Sequence, residues 1–161
     1  MLGGQVGARF EPVVREHKPD LVVVYGDVNS TLATALVCSK LNLRLAHVEA
    51  GLRSWDRTMP EEINRMVTDA ITNWFFTTSE IANTNLRNAG VGEDRIFFVG
   101  NTMIDTLLAN LDRLDAERAR LSLGLPETYI VATLHRPGNV DDPESAATLV
   151  SLMHSAASRA D

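Results

Sequence analysis

A parallel, doubly wound α/β sheet is the fold class this sequence predicts, on three observations. Short apolar runs of strand length alternate with stretches of helical period along the 161 residues. The run DLVVVYGD suits a parallel strand covered on both faces. No internal repeat or low-complexity tract interrupts the alternation.

The elements follow in order. VGARFEPVVREHKP reads as a helix with Val6, Phe10, Val13 and Val14 on one side, which Pro12 must start or kink. After the strand DLVVVYGD comes the helix STLATALVCSKLN, for which Asn29 or Ser30 is the expected cap. The strand LRLAHVEA is next, then the helix PEEINRMVTDAIT, the strand NWFFTTS, the helix EIANTNLRNAG and the strand RIFFVG. A continuous helix NTMIDTLLANLDRLDAERARL leads to TYIVATLH, expected as the first strand of a second sheet. The loop RPGNVDDP and a helix from Glu144 complete the chain.

Residues 1–100 are therefore expected to form most of one domain, and 101–161 a connector and the start of another. The chain opens at or inside a helix, with no preceding strand to carry a phosphate-binding first turn, and closes on a helix. We expect an internal segment of a longer two-domain protein.

Composition narrows the function. An apolar fraction of 45% and a charged fraction of 22% are those of an ordinary globular protein. The net charge of −6 argues against a nucleic-acid or anionic-membrane surface. No apolar run reaches the roughly 18–20 residues needed to span a bilayer. Cys38, the one thiol, is expected inside a helix, and a cytoplasmic location is the expectation.

In open α/β sheets, ligands bind beyond the carboxyl ends of the strands. Here those ends read YGDVNST, HVEAGLRS, TTSE, VGNT and LHRPGN, and Asp27, Glu49 and His135 stand at three of the tips. Taken alone, Asp27 reads as a turn or capping aspartate, Glu49 has an equal structural reading, and Glu80 opens the next helix. Between His47 and Arg65 the stretch HVEAGLRSWDRTMPEEINR concentrates charge beyond what a connecting turn needs. Pro60 suits a first helical position, which puts Glu61 and Glu62 in the first turn; Glu61 and Arg65 are spaced to pair at i, i+4. His135 and Arg136 before a glycine turn suit an anionic group or proton transfer near neutral pH. His47 reads as core or as support for the site, His17 and His154 as surface, and Trp55 and Trp74 as packing residues.

There is no HExxH, CxxC, GxGxxG, GxxxxGK[ST] or GxSxG, so metal, dinucleotide, NTPase and serine-hydrolase readings have no motif behind them. Several carboxylates and one histidine, with no metal or organic cofactor, suit stepwise proton abstraction and return. Crowding of like charges is expected to separate their pKa values.

The stretches YGDVNSTLATALVCSKLNLRLAHVEAGLRS, MPEEINR, GNTMIDTLL and LHRPGNVD, in this order, resemble the non-hydrolysing UDP-N-acetylglucosamine 2-epimerases, from about Pro19 to Asp142. The resemblance implies a Rossmann-like parallel sheet, part of a two-domain GT-B fold with the nucleotide sugar between the domains. It implies interconversion of UDP-GlcNAc and UDP-ManNAc, a cytoplasmic role in cell-envelope polysaccharide synthesis, and a homodimer when full length. Asp27, Glu49 and Glu61 match the family's catalytic acids, and His135 matches the histidine that supports UDP departure. Asp27, Glu49, His135 and Arg136 would contact the substrate. Relatives often carry HGDTTT and HRREN where this chain has YGDVNS and HRPGN. The family's opening GTRPE motif and its later Ser-Gly-Gly and acidic nucleotide-binding motifs are absent, so the 161-residue chain is expected to be inactive alone.

Three other readings use the same residues. A hydrolysing epimerase would release ManNAc and UDP. A GT-B glycosyltransferase would leave Glu49 and Glu61 without a clear shared role. A non-catalytic nucleotide-sugar-binding domain would use the acids only as helix caps, with their side chains diverging into solvent.

Overall fold

The computed structural model describes residues 3–134 and 137–158. It divides into two compact units, Met1–Leu108 and Ala109–Asp161. The first is built on four parallel strands, β1 (Leu21–Tyr25), β2 (Arg44–Val48), β3 (Trp74–Thr77) and β4 (Ile96–Phe98), in that spatial order. Around them lie α1 (Gly4–His17), α2 (Asn29–Lys40), α3 (Pro60–Ala70), α4 (Glu80–Asn88) and α5 (Thr102–Ala109). The predicted parallel α/β sheet is present.

Register does the positioning. Val24 pairs with His47 and Tyr25 with Val48, while Ala46 pairs with Trp74 and Val48 with Phe76. The three strands therefore stop at nearly the same level, and their outgoing loops share one edge. Two apolar clusters hold the layers together. Val24, Ala35, Cys38 and Leu45 pack with Phe10, Val22, Leu43 and Ile71; Ala50, Phe75 and Leu86 pack with Val91 and Ile96.

Several local expectations are corrected. β1 is covered on one face only: Val24 is buried, whereas Leu21, Val23 and Tyr25 are exposed. α1 begins at Gly4 and continues through Pro12, which sits in its interior. Neither Asn29 nor Ser30 caps α2. The cap position is Val28, without a side-chain bond, and the Thr31 hydroxyl instead donates to the Tyr25 carbonyl at 2.6 Å. Glu80 opens α4 as expected, with the Ser79 hydroxyl accepting from the Ala82 amide at 3.3 Å.

The long helix expected from Asn101 is broken. α5 ends at Ala109, a 3-10 turn spans Leu111–Arg113, and α6 (Ala116–Ser122) starts afresh under the Asp115 carboxylate, which accepts from the Arg118 amide at 2.9 Å. In the second unit residues 128–134 form no strand, because a strand exists only against a partner and none pairs with them among the described residues. Tyr129, Ile130 and Val131 are accordingly exposed. The stretch expected as a loop contains a helical turn, α7 (Pro137–Val140), and α8 (Pro143–Ala157) follows, with Asp142 accepting from the Ser145 amide at 2.8 Å. No described helix is long and apolar enough to cross a membrane.

Phe75, fully buried in β3, is the largest fully buried side chain of the described core. Phe75→Ala is expected to lower the unfolding free energy by about 3–5 kcal/mol, read from urea denaturation followed by far-UV circular dichroism.

Candidate active site

The strand edge is assembled by backbone geometry before any side chain contributes. The Gly26 amide donates to the Val48 carbonyl at 3.0 Å, extending the β1–β2 ladder by one bond. Gly26 then turns at φ +60°, where L side chains are strained. A Cβ placed on Gly26 would lie 3.5 Å from Oε2 of Glu49. The tips of β1 and β2 thus bring the Glu49 carboxylate over the residue that precedes Asp27.

Asp27 does not cap a helix. Its carboxylate, 35% exposed, accepts from Nη1 of Arg65 at 3.0 Å, and its carbonyl accepts from Nδ2 of Asn64 at 2.8 Å. The same Asn64 amide donates to Oδ1 of Asn29 at 3.0 Å, tying the start of α2 to the second turn of α3. Glu49 has φ +71°, uncommon for a residue with a side chain. Its carboxylate is half-buried and has no side-chain hydrogen bond or ion pair among the described residues.

The two acids that open α3 do different work. Glu62 is fully buried and accepts from the Ser54 amide at 2.9 Å, the Ser54 hydroxyl at 3.1 Å, the Trp55 amide at 3.2 Å and Nε of Arg65 at 3.1 Å. Burial pushes its carboxyl up, but the Ser54 and Trp55 donors together with Arg65 outweigh this and hold it below the usual carboxylate range. Glu61 is half-buried and unpartnered among the described residues. The expected Glu61–Arg65 pair is therefore replaced by Glu62–Arg65, and Arg65 bridges Glu62 to Asp27. The geometry selects Glu62 because its side chain turns toward the returning 52–55 loop, whose unpaired amides need an acceptor.

Beneath the tip of β2 lies a network that sequence reasoning missed in part. His47, fully buried, places Nδ1 2.7 Å from Oδ1 of Asp69 and Nε2 2.9 Å from the Gly26 carbonyl. Asp69 Oδ2 accepts from the Gly51 amide at 3.1 Å and forms an ion pair with Nη1 of Arg53 at 2.7 Å. His47 is buried, as the core reading expected, but Asp69 and Arg53 carried no expectation. One cue was present: Asp69 stands in the last turn of α3, where the helix dipole disfavours an acid. Gly51 is packed so tightly on α4 that a Cβ there would come 2.5 Å from the Ala82 carbonyl oxygen.

The structure thus puts the Glu49 carboxylate beside Gly26, the residue before Asp27, and puts Glu61 in the first turn of the helix whose Arg65 holds Asp27. Glu61 bonds to neither acid among the described residues. His135 and Arg136 lie outside the described residues. Trp55 is 70% exposed rather than packed, while Trp74 is half-buried with the Arg44 guanidinium 6.0 Å from its ring centre. Among the described residues, no group of three His, Cys, Asp or Glu side chains could hold a metal ion.

A family model described as UDP-N-acetylglucosamine 2-epimerase matches residues 2–161. The chain belongs to that family. Within it, the chain is 48% identical over 151 residues to the UDP-N-acetylglucosamine 2-epimerase of Methanocaldococcus jannaschii, covering 91% of this chain and 41% of that relative. It is 42% identical over 155 residues to the UDP-2,3-diacetamido-2,3-dideoxy-D-glucuronate 2-epimerase of Pseudomonas aeruginosa, covering 94% and 42%. A crystal structure of the Methanocaldococcus jannaschii UDP-GlcNAc 2-epimerase in complex with UDP-GlcNAc and UDP matches with a TM-score of 0.82 and 46% identity, over 92% of this chain and 42% of that one. This epimerase-family chain therefore spans about two-fifths of the length of these relatives.

Because the folded Glu62 carboxyl titrates below its unfolded range, its contribution to stability is complete above about pH 4.3 and is lost as pH falls through the lower folded value. Glu62→Gln is expected to cost about 1–3 kcal/mol at pH 7. It should also flatten the acid limb of a plot of urea midpoint against pH; an unchanged acid limb would assign that limb to other groups.

Proposed function

We propose that this chain supplies the proton-transfer half of an epimerase that interconverts UDP-GlcNAc and UDP-ManNAc. The observation that carries the reading is the Glu49 carboxylate lying beside Gly26, the residue before Asp27, at the carboxyl edge of a parallel sheet, in a chain of this family. In the proposed reaction a carboxylate removes the C2 proton and UDP leaves in an anti elimination, giving 2-acetamidoglucal. UDP then adds back with protonation at C2 from the other face. Glu49 and Glu61, which have no side-chain partner among the described residues, would carry the proton transfer. Asp27, held by Arg65, would be the third acid of the site and contact the sugar. His135 and Arg136 would meet the diphosphate, where an imidazole and a guanidinium suit a departing anion.

In the complete protein, residues 1–100 would be most of the N-terminal Rossmann-like domain and 101–161 the connector and the start of the C-terminal one. The GT-B arrangement would place UDP between the two domains. A homodimer, a cytoplasmic location and a role in cell-envelope polysaccharide synthesis belong to the same proposal. The Pseudomonas aeruginosa relative favours a second substrate reading, in which the same C2 inversion acts on a diacetamido uronate sugar.

The test needs a complete enzyme, which a chimera provides: this chain replaces the matching segment of the Methanocaldococcus jannaschii relative. Incubated with UDP-GlcNAc in deuterated water, the chimera is expected to incorporate deuterium at C2 and form UDP-ManNAc. A folded chimera that binds UDP-GlcNAc without exchange sinks the reading, and exchange only with the diacetamido sugar selects the second one. The 161-residue chain alone is expected to show no turnover under the same conditions.

Glu49→Gln and Glu61→Gln, each made in the chimera, are expected to lower kcat by about 10²–10⁴-fold through loss of the proton-transfer group. A tritium-release assay at C2 would show a Glu61→Gln variant at parent rate if that carboxylate were only answering the helix dipole.

A further inference from the structure

Glu49 needs support that its own sequence neighbourhood does not supply. A non-glycine residue at φ +71° carries a cost of about 1–2 kcal/mol, so surrounding bonds must hold it. Two of them come from β3, where the Phe76 carbonyl accepts the Glu49 amide at 2.9 Å and the Ala50 amide at 3.1 Å. The rest come from Asp69. Its carboxylate binds the side chain two residues before Glu49, His47, and the amide two residues after it, Gly51.

The connection continues to the other acid. The Gly26 carbonyl only accepts, so Nε2 of His47 carries the hydrogen that joins them, and one further proton lies between Nδ1 and Asp69. Gly26 is the residue before Asp27. One buried carboxylate, 6% exposed, is therefore bonded to the strand tip that carries Glu49 and, through the His47 ring, to the turn that carries Asp27. Arg53, on the loop leaving the site, completes its contacts at 2.7 Å.

We infer that Asp69 is a positioning residue: through His47 and Gly51 it sets the spacing and direction of the Glu49 and Asp27 carboxylates. Its functional consequence rests on the epimerase reading above; its geometric content does not. Asp69→Ala removes the acceptors for His47, Gly51 and Arg53. Asp69→Asn keeps the shape, with the amide oxygen accepting from Gly51 and Arg53 and the amide nitrogen donating to Nδ1 of the neutral ring.

Two readouts separate the inference from the reaction it serves. In the 161-residue chain, Asp69→Ala should speed hydrogen exchange of the Glu49 and Gly51 amides by about 10-fold or more relative to amides of β1 and β3, while Asp69→Asn should not. In the chimera, Asp69→Ala should lower kcat by about 100-fold with KM for UDP-GlcNAc within about threefold of the parent, and Asp69→Asn should recover most of the loss. If Asp69→Ala does not fold, His47→Phe, which keeps ring volume and cuts the bond to Gly26, should give the same kcat-selective loss. Unaltered exchange at Glu49 in Asp69→Ala, a parent-like kcat in a folded Ala or Phe variant, or an Asp69→Asn as damaged as Asp69→Ala would each overturn the inference. A parent chimera without turnover would instead end the epimerase reading, and the exchange data alone would then decide the role of Asp69.

Discussion

The parallel register of β1 and β2 is the constraint on which the rest depends. With Val24 opposite His47 and Tyr25 opposite Val48, the next residue of β1 is Gly26, and the next of β2 is Glu49. Side chains alternate along a strand, so a slip of one residue would turn His47 away from Asp69 and Glu49 away from Gly26. The packing around Val24, Leu45, Ala46 and Phe75 opposes such a slip, because buried side chains of different size would have to exchange faces. Core packing thereby fixes which residues stand at the tips of the two strands.

Polar groups then refine what register sets. Five carboxylates in one region carry three kinds of task, and burial sorts them. Glu62 and Asp69 are enclosed, and each is bonded to backbone amides and an arginine. Such groups are costly to leave unpaired, so their partners are held as firmly as they are. Glu49 and Glu61 are half-exposed and have no protein partner among the described residues. Asp27 lies between these extremes, 35% exposed and paired with one arginine.

Much of this was legible in the sequence, for identifiable reasons. Apolar period distinguishes strand from helix, and in a parallel sheet every strand tip faces the same edge, so Asp27 and Glu49 could be placed together without coordinates. What failed was whatever depends on a partner distant in sequence. TYIVATLH has strand composition, yet a strand is a property of a pair, and none pairs with it among the described residues. DLVVVYGD reads as doubly covered, but its exposed face is set by what packs on it. Trp55 looks like a core residue until its loop, bound through amides to Glu62, turns the ring outward.

The adjacent acids Glu61 and Glu62 show where the boundary of legibility falls. Both sit in the first turn of α3 and both answer the same helix dipole, so spacing favours whichever lies four residues before Arg65. The choice is made instead by the 52–55 loop, which returns over the helix with the Ser54 and Trp55 amides unpaired and aimed at one side of it. Glu62 lies on that side, at i, i+3 from Arg65, and the arginine follows it there. Having done so, the guanidinium still has Nη1 free to reach Asp27, which a bidentate pair with Glu61 would have consumed. The buried acid thus releases its neighbour: Glu61 keeps a carboxylate with no partner among the described residues because Glu62 takes the arginine and the amides.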